Sequence, residues 1–146
     1  MEKRIDIQKL EPNAYEAMFG LEKYLSSTGL DKTLALLIEI RASQVNGCAY
    51  CLDIHTKNAL KNGESQRRIF ALSAWWESPL FNDKEKALLQ MVDEISLISE
   101  KGLSSPTYQK AKEQFTDKEI AQIIMQISTI NVWNRIAIST HMVHEE

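Results

Sequence analysis

Apolar residues along this chain recur at intervals of three and four, and few breakers interrupt them: 5 Gly and 3 Pro in 146 residues. That spacing marks one face of a 3.6-residue helix, and no convincing strand alternation competes with it. The expected fold is all-α, with about six to seven helices in a single domain over residues 1–146. The local signals divide the chain. "PNAYEAMFGLEKYLSSTG" puts Ala14, Met18, Leu21 and Leu25 on one face and ends at Gly29, a C′ residue. Asp31 is an N-cap for a helix to about Asn46, and a third helix runs from near Cys48 to the Asn62-Gly63 stop. A short helix spans about Ser65 to Trp76 and is broken by Ser78-Pro79. Asn82 with Glu85, and Thr116 with Glu119, have the capping-box spacing and open two longer helices, and Ser105-Pro106 opens a short one between them.

Two segments, "LALLIEI" and "IIMQISTINVWNRIAI", are apolar nearly all the way round. Such helices are enclosed by the rest of the domain or sealed in a subunit contact, so a homo-oligomer is expected. The polar residues within or just beyond them (Glu39, Arg41, Gln44, Asn131, Asn134 and Arg135) then require partners, in the same chain or across subunits, because unpaired burial is costly.

The net charge of −3 and the scattered Lys and Arg give no electrostatic footprint for nucleic acid. The densest basic run, Lys57, Lys61, Arg67 and Arg68, reads as a solvated helix face. No segment reaches the roughly 18 consecutive apolar residues of a membrane span, and the charged start lacks the apolar core of a signal peptide. A cytoplasmic location is expected, and in that reducing compartment a Cys pair is more often catalytic or metal-binding than a permanent crosslink. A chain that buries roughly 68–70% of its unfolded surface has no need of a disulfide to hold its core.

Both cysteines and one of the three histidines fall within "CAYCLDIH", residues 48–55. On a helix Cys48 and Cys51 are i,i+3 neighbours, close enough for a reversible disulfide with modest adjustment. Cys51 and His55 are i,i+4, which sets the imidazole one turn beyond the second thiol. Each thiol has an activator, the helix terminus for Cys48 and His55 for Cys51. A thiolate attacks a peroxide oxygen to give a sulfenic acid, and a neighbouring thiol condenses with it to a disulfide. Two other readings stand beside this one. The cysteines are inert and buried, or Cys48, Cys51 and His55 hold zinc with His141 or His144, although only one of the usual two ligand pairs is present. Trp75, Trp76 and Phe81 are candidates for substrate walls, with core packing the plainer reading.

The stretch "RASQVNGCAYCLDIHTKNALKNGES", and the Ser-Gln-x-Asn-Gly-Cys-x-Tyr-Cys-x-x-x-His string within it, closely resembles the core motif of alkylhydroperoxidase AhpD-like proteins of the carboxymuconolactone decarboxylase family. The resemblance extends from about residue 34 to 140. It implies a helical trimer or hexamer in which Cys51 attacks a hydroperoxide, Cys48 resolves the intermediate and His55 relays a proton. It further implies an external dithiol reductant of lipoyl or thioredoxin type, and no bound cofactor or metal. The decarboxylase branch generally lacks the cysteine pair, so lactone decarboxylation is not implied. The family's relay glutamate, twelve residues before the first cysteine, is replaced here by Leu36. Glu39 lies i+3 from it and is the candidate substitute. The alternative functions are a general disulfide reductase or redox sensor, and a non-catalytic oligomeric module with structural or zinc-binding cysteines.

Overall fold

A computed structural model describes residues 2–144, and among them every regular element is helical. In chain order the helices are α1 (Ile7–Leu10), α2 (Pro12–Ser27), α3 (Lys32–Asn46), α4 (Ala49–Lys61), α5 (Gln66–Ala71), α6 (Asp83–Ser96), α7 (Ser105–Gln114) and α8 (Asp117–Thr140), with a 3-10 turn over Leu72–Ala74. The expected helices are all present, and α1, a single turn capped by Asp6, is the addition. The segment expected to be helical to Trp76 instead tightens into the 3-10 turn at Leu72.

The ends follow local chemistry. Asp31 accepts the Leu34 N–H at 3.1 Å, and both capping boxes, Asn82 with Glu85 and Thr116 with Glu119, are formed in both directions. Gly29 and Gly63 take positive φ where the chain leaves α2 and α4. Helix α3 is the centre of the fold, with α4, α6 and α8 packed around it. Its Leu37, Ile38, Ile40 and Ala42 are 0–1% exposed, which explains a sequence apolar on nearly every side. Leu88, Leu89, Met91 and Val92 of α6 and Ile123, Ile127 and Ile130 of α8 complete the core.

The polar residues of these helices find partners within the chain. Arg41 on α3 grips Asp93 on α6 through Nε at 2.6 Å and Nη2 at 3.0 Å, and the Trp75 indole N–H donates to the same carboxylate at 3.1 Å. Arg68, expected on a solvated face, is instead a clasp. It pairs with Glu64 at 3.0 Å and Glu85 at 2.6 Å and donates to the Leu80 carbonyl.

Glu94 holds the connection between α6 and α7. It accepts from the Thr107 hydroxyl at 2.6 Å, the Ser104 N–H at 2.7 Å and hydroxyl at 3.2 Å, and the Gln90 amide at 3.1 Å. Burial pushes its carboxyl up, but these donors together hold it below its ordinary value. A depressed folded-state value gives stability that is present above the unfolded value and lost as pH falls through the folded one. The thermal midpoint of Glu94→Gln should therefore lie below wild type at neutral pH. The gap should close as pH falls below about 4, the ordinary carboxylate range. Midpoints measured across pH check this, and a gap that persists at low pH would contradict it.

Candidate functional site

The turn between α3 and α4 is only two residues long, Gly47 and Cys48. Gly47 has φ +68°, a left-handed conformation that an L side chain adopts only with strain. It lets the Cys48 N–H return to the Ser43 carbonyl at 3.0 Å, and the chain turns at once into α4. Cys48 is the N-cap of α4, with extended backbone, and its Sγ accepts the Cys51 N–H at 3.3 Å. The two cysteines are joined by a disulfide, with Cα atoms 5.3 Å apart, inside the usual window.

An amide network fixes this turn against α8. The Asn46 amide donates to Asn131 Oδ1 and Asn134 Oδ1, each at 2.9 Å. Asn134 donates to the Ser43 hydroxyl at 3.1 Å, and Asn131 to Ser96 Oγ at 3.0 Å. Arg135 joins through Asn131 Oδ1 at 3.1 Å. Every buried side-chain polar atom among the described residues has a partner. The Ser, Asn and Gly of the motif thus have positioning tasks, separate from those of the residues at the cleft.

A cleft of about 580 Å³ opens over Cys51, His55 and Glu39. Cys48 is not among its lining residues and is 1% exposed, against 4% for Cys51. Glu39 Oε2 lies 3.1 Å from His55 Nδ1, and Glu39 Oε1 accepts from the Gln126 amide at 3.2 Å. Leu36 is buried in the main core, so the acid contributed by α3 is Glu39, one turn further along. A carboxylate at Nδ1 favours the tautomer with its proton there and leaves Nε2 as the acceptor.

Core packing, the plainer reading of the three candidate wall aromatics, holds for two of them. Trp75 and Phe81 belong to the core, and Trp75 and Trp76 border a separate groove near Lys86 and Lys110. The aromatic lining of the cysteine cleft is Tyr15 and Phe19 of α2, Tyr50 of α4 and Trp133 of α8. The i,i+4 pair Tyr15 and Phe19 was the available sequence signal, on a helix whose one buried residue is Leu25. His141 ends α8, with Nδ1 3.0 Å from the Glu2 carbonyl, and His144 is exposed. Among the described residues no group of three or more His, Cys, Asp or Glu is gathered as a metal site. None of the described helices is long and apolar enough to cross a membrane.

An all-helical fold with a cysteine pair at a helix N-terminus, one of the two cysteines lining a cleft beside a carboxylate–imidazole pair, defines a class of site. The chain belongs to the carboxymuconolactone decarboxylase family, whose profile matches residues 12–94, and within it the chain is AhpD-like. It is 36% identical over 139 residues to the uncharacterized protein YdfG of Bacillus subtilis, covering 95% of each chain. Its fold superposes with TM-score 0.96 and 39% identity, over 99% of both chains, on ATU0492 of Agrobacterium tumefaciens. That protein is one of unknown function, proposed to be the antioxidant defence protein AhpD. The debrominase Bmp8 shares the fold with TM-score 0.85 at 19% identity, over 94% of this chain and 74% of its own.

The amide network predicts a measurable stability term. Asn134→Ala strips partners from Asn46 and Ser43 in a buried setting and should lower the unfolding free energy by about 1–3 kcal/mol in urea titration. A change under about 0.5 kcal/mol, the range of an ordinary surface substitution, would contradict the assigned role.

Proposed function

We propose that the protein is a thiol-dependent peroxidase that reduces hydroperoxides through the Cys48–Cys51 pair. The observation that carries this reading is the arrangement at the cleft. Cys51 meets it beside the Glu39–His55 pair, while Cys48 lies beneath, at the helix N-terminus. The Cys51 thiolate attacks the terminal oxygen of ROOH and the O–O bond breaks. The alkoxide leaves as ROH with a proton relayed by His55, and Cys51 becomes a sulfenic acid. Cys48 then attacks the Cys51 sulfur, the S–S bond forms and water departs. An external dithiol of lipoyl or thioredoxin type attacks the disulfide and leaves as its own disulfide, restoring both thiols.

The two activators divide between the two half-reactions. The N–H groups of α4 stabilise a thiolate at Cys48, which helps it both to resolve the sulfenic acid and to leave when the reductant attacks. The imidazole one turn from Cys51 serves the peroxide step, and Glu39 orients it through Nδ1. The likeness to ATU0492, with its proposed antioxidant assignment, supports the same chemistry. The homo-oligomer implied by the family fits the apolar side chains left open on one face of α8, Met125 and Val132, 37% and 40% exposed.

Steady-state hydroperoxide reduction with several dithiol donors tests the reading. Wild type should turn over, Cys51→Ser should abolish turnover, and His55→Gln should lower kcat/KM by on the order of 100-fold, as expected for loss of a general acid. Peroxide-blind reduction of a small disulfide by wild type would identify a disulfide reductase instead.

A further inference from the structure

The hydroperoxide group needs only the floor of the cleft, so the rest of a substrate meets its walls. Tyr15 and Trp133 meet edge-on with centroids 5.4 Å apart, and Phe19 closes the cluster 5.9 Å from Tyr15 and 6.1 Å from Trp133. Phe19 remains 52% exposed and Ile54 43%, so apolar surface is left uncovered at the site. A cleft of about 580 Å³ lies within the usual size of small-molecule sites, far more than hydrogen peroxide needs.

The charges in the lining have one dominant sign. Asp6, Glu22 and Glu39 contribute carboxylates, and Lys3 is the one Lys or Arg among the lining residues. Lys3 is already paired with Asp6 at 3.6 Å, and the Glu39 carboxylate holds the His55 ring. Glu22 accepts the Trp133 indole N–H at 2.9 Å, which fixes a negative charge against the aromatic wall. Burial, with the Asp6 carboxylate adding to it, pushes the Tyr15 phenol above its ordinary value, so that ring stays neutral. Asp6 is paired with Lys3 and Lys9 and Glu39 with His55, so an anion entering the cleft meets the Glu22 carboxylate, which has no ion-pair partner among the described residues, whereas a neutral ring finds aromatic edges and faces.

These walls come from both within and outside the family-matched residues 12–94: Tyr15, Phe19 and Glu22 lie inside that region, together with Glu39, Cys51 and His55. Trp133, Ala137 and Met142 follow that region, and the strap from Lys3 to Gln8 precedes it. The strap is tied to the end of α8 by the Arg4 N–H to the Thr140 carbonyl and by Arg4 Nη1 to the Ser139 carbonyl, each at 3.0 Å.

We propose that the cleft selects uncharged organic hydroperoxides bearing a bulky aromatic group, over both hydrogen peroxide and carboxylate-bearing hydroperoxides. The proposal takes its chemistry from the peroxidase reading, but its binding preference stands without turnover. The test uses the oxidised full chain, in which no thiol can react. Calorimetry compares 2-phenylpropan-2-ol, the alcohol product of cumene hydroperoxide, with 2-phenylpropanoate, an anion of similar size. The alcohol should bind about tenfold more tightly. Glu22→Gln should narrow that gap, and Phe19→Ala, at a half-exposed position outside the core, should weaken alcohol binding about fivefold. With reduced enzyme and a dithiol donor, the ratio of kcat/KM for cumene hydroperoxide to that for hydrogen peroxide should be about ten and should fall in Phe19→Ala. Equal affinity for alcohol and anion, or no binding of either, would overturn the proposal even if both peroxides are reduced. Selective binding of the alcohol without reduction of any hydroperoxide would support it while overturning the peroxidase reading.

Discussion

Burial of α3 on nearly every side is the constraint on which the rest depends. A helix carrying Leu37, Ile38, Ile40 and Ala42 on different faces is stable only when other elements surround it, and α4, α6 and α8 do so. Once it is enclosed, its polar side chains must be satisfied from those neighbours. Arg41 draws Asp93 from α6, and Glu39 draws His55 from α4 and Gln126 from α8. The carboxylate that orients the imidazole therefore stands on the most firmly held element of the fold. A site supported this way has its geometry set before any ligand arrives.

The same enclosure explains how two cysteines of one short motif come to have different surroundings. Gly47 ends α3 in a left-handed turn, and the amide network through Asn46, Asn131 and Asn134 pins that turn to α8. Cys48 is left at the cap of α4, under the surface and bonded to a helix N–H, while Cys51 faces the cleft one turn from His55. Neighbouring positions in sequence become an inner and an outer sulfur.

Local physics was legible in the sequence. The caps at Asp31, Asn82 and Thr116 and the stop at Asn62-Gly63 act over three or four residues, and they mark the helix ends closely. The resemblance placed the family's acid at Leu36, and a step of one helical turn from there pointed to Glu39 as the candidate, which lies 3.1 Å from His55. What the sequence hid was tertiary. For Trp75 and Phe81 core packing was the plainer reading beside a wall role, and Asp93 and the core do claim them. The walls are instead Tyr15, Phe19 and Trp133, drawn from helices more than a hundred residues apart in the chain, which no local pattern links. Arg68 likewise looked solvated until Glu85 and the Leu80 carbonyl came within reach.

The proposed order of events at the two sulfurs is open to test by trapping the sulfenic acid. In Cys48→Ser, one equivalent of hydroperoxide leaves Cys51 no partner thiol, so dimedone should add once and peptide mass spectrometry should place the adduct on Cys51. Dimedone labelling of Cys48 in Cys51→Ser, with Cys51 unlabelled in the complementary variant, would reverse the proposed order.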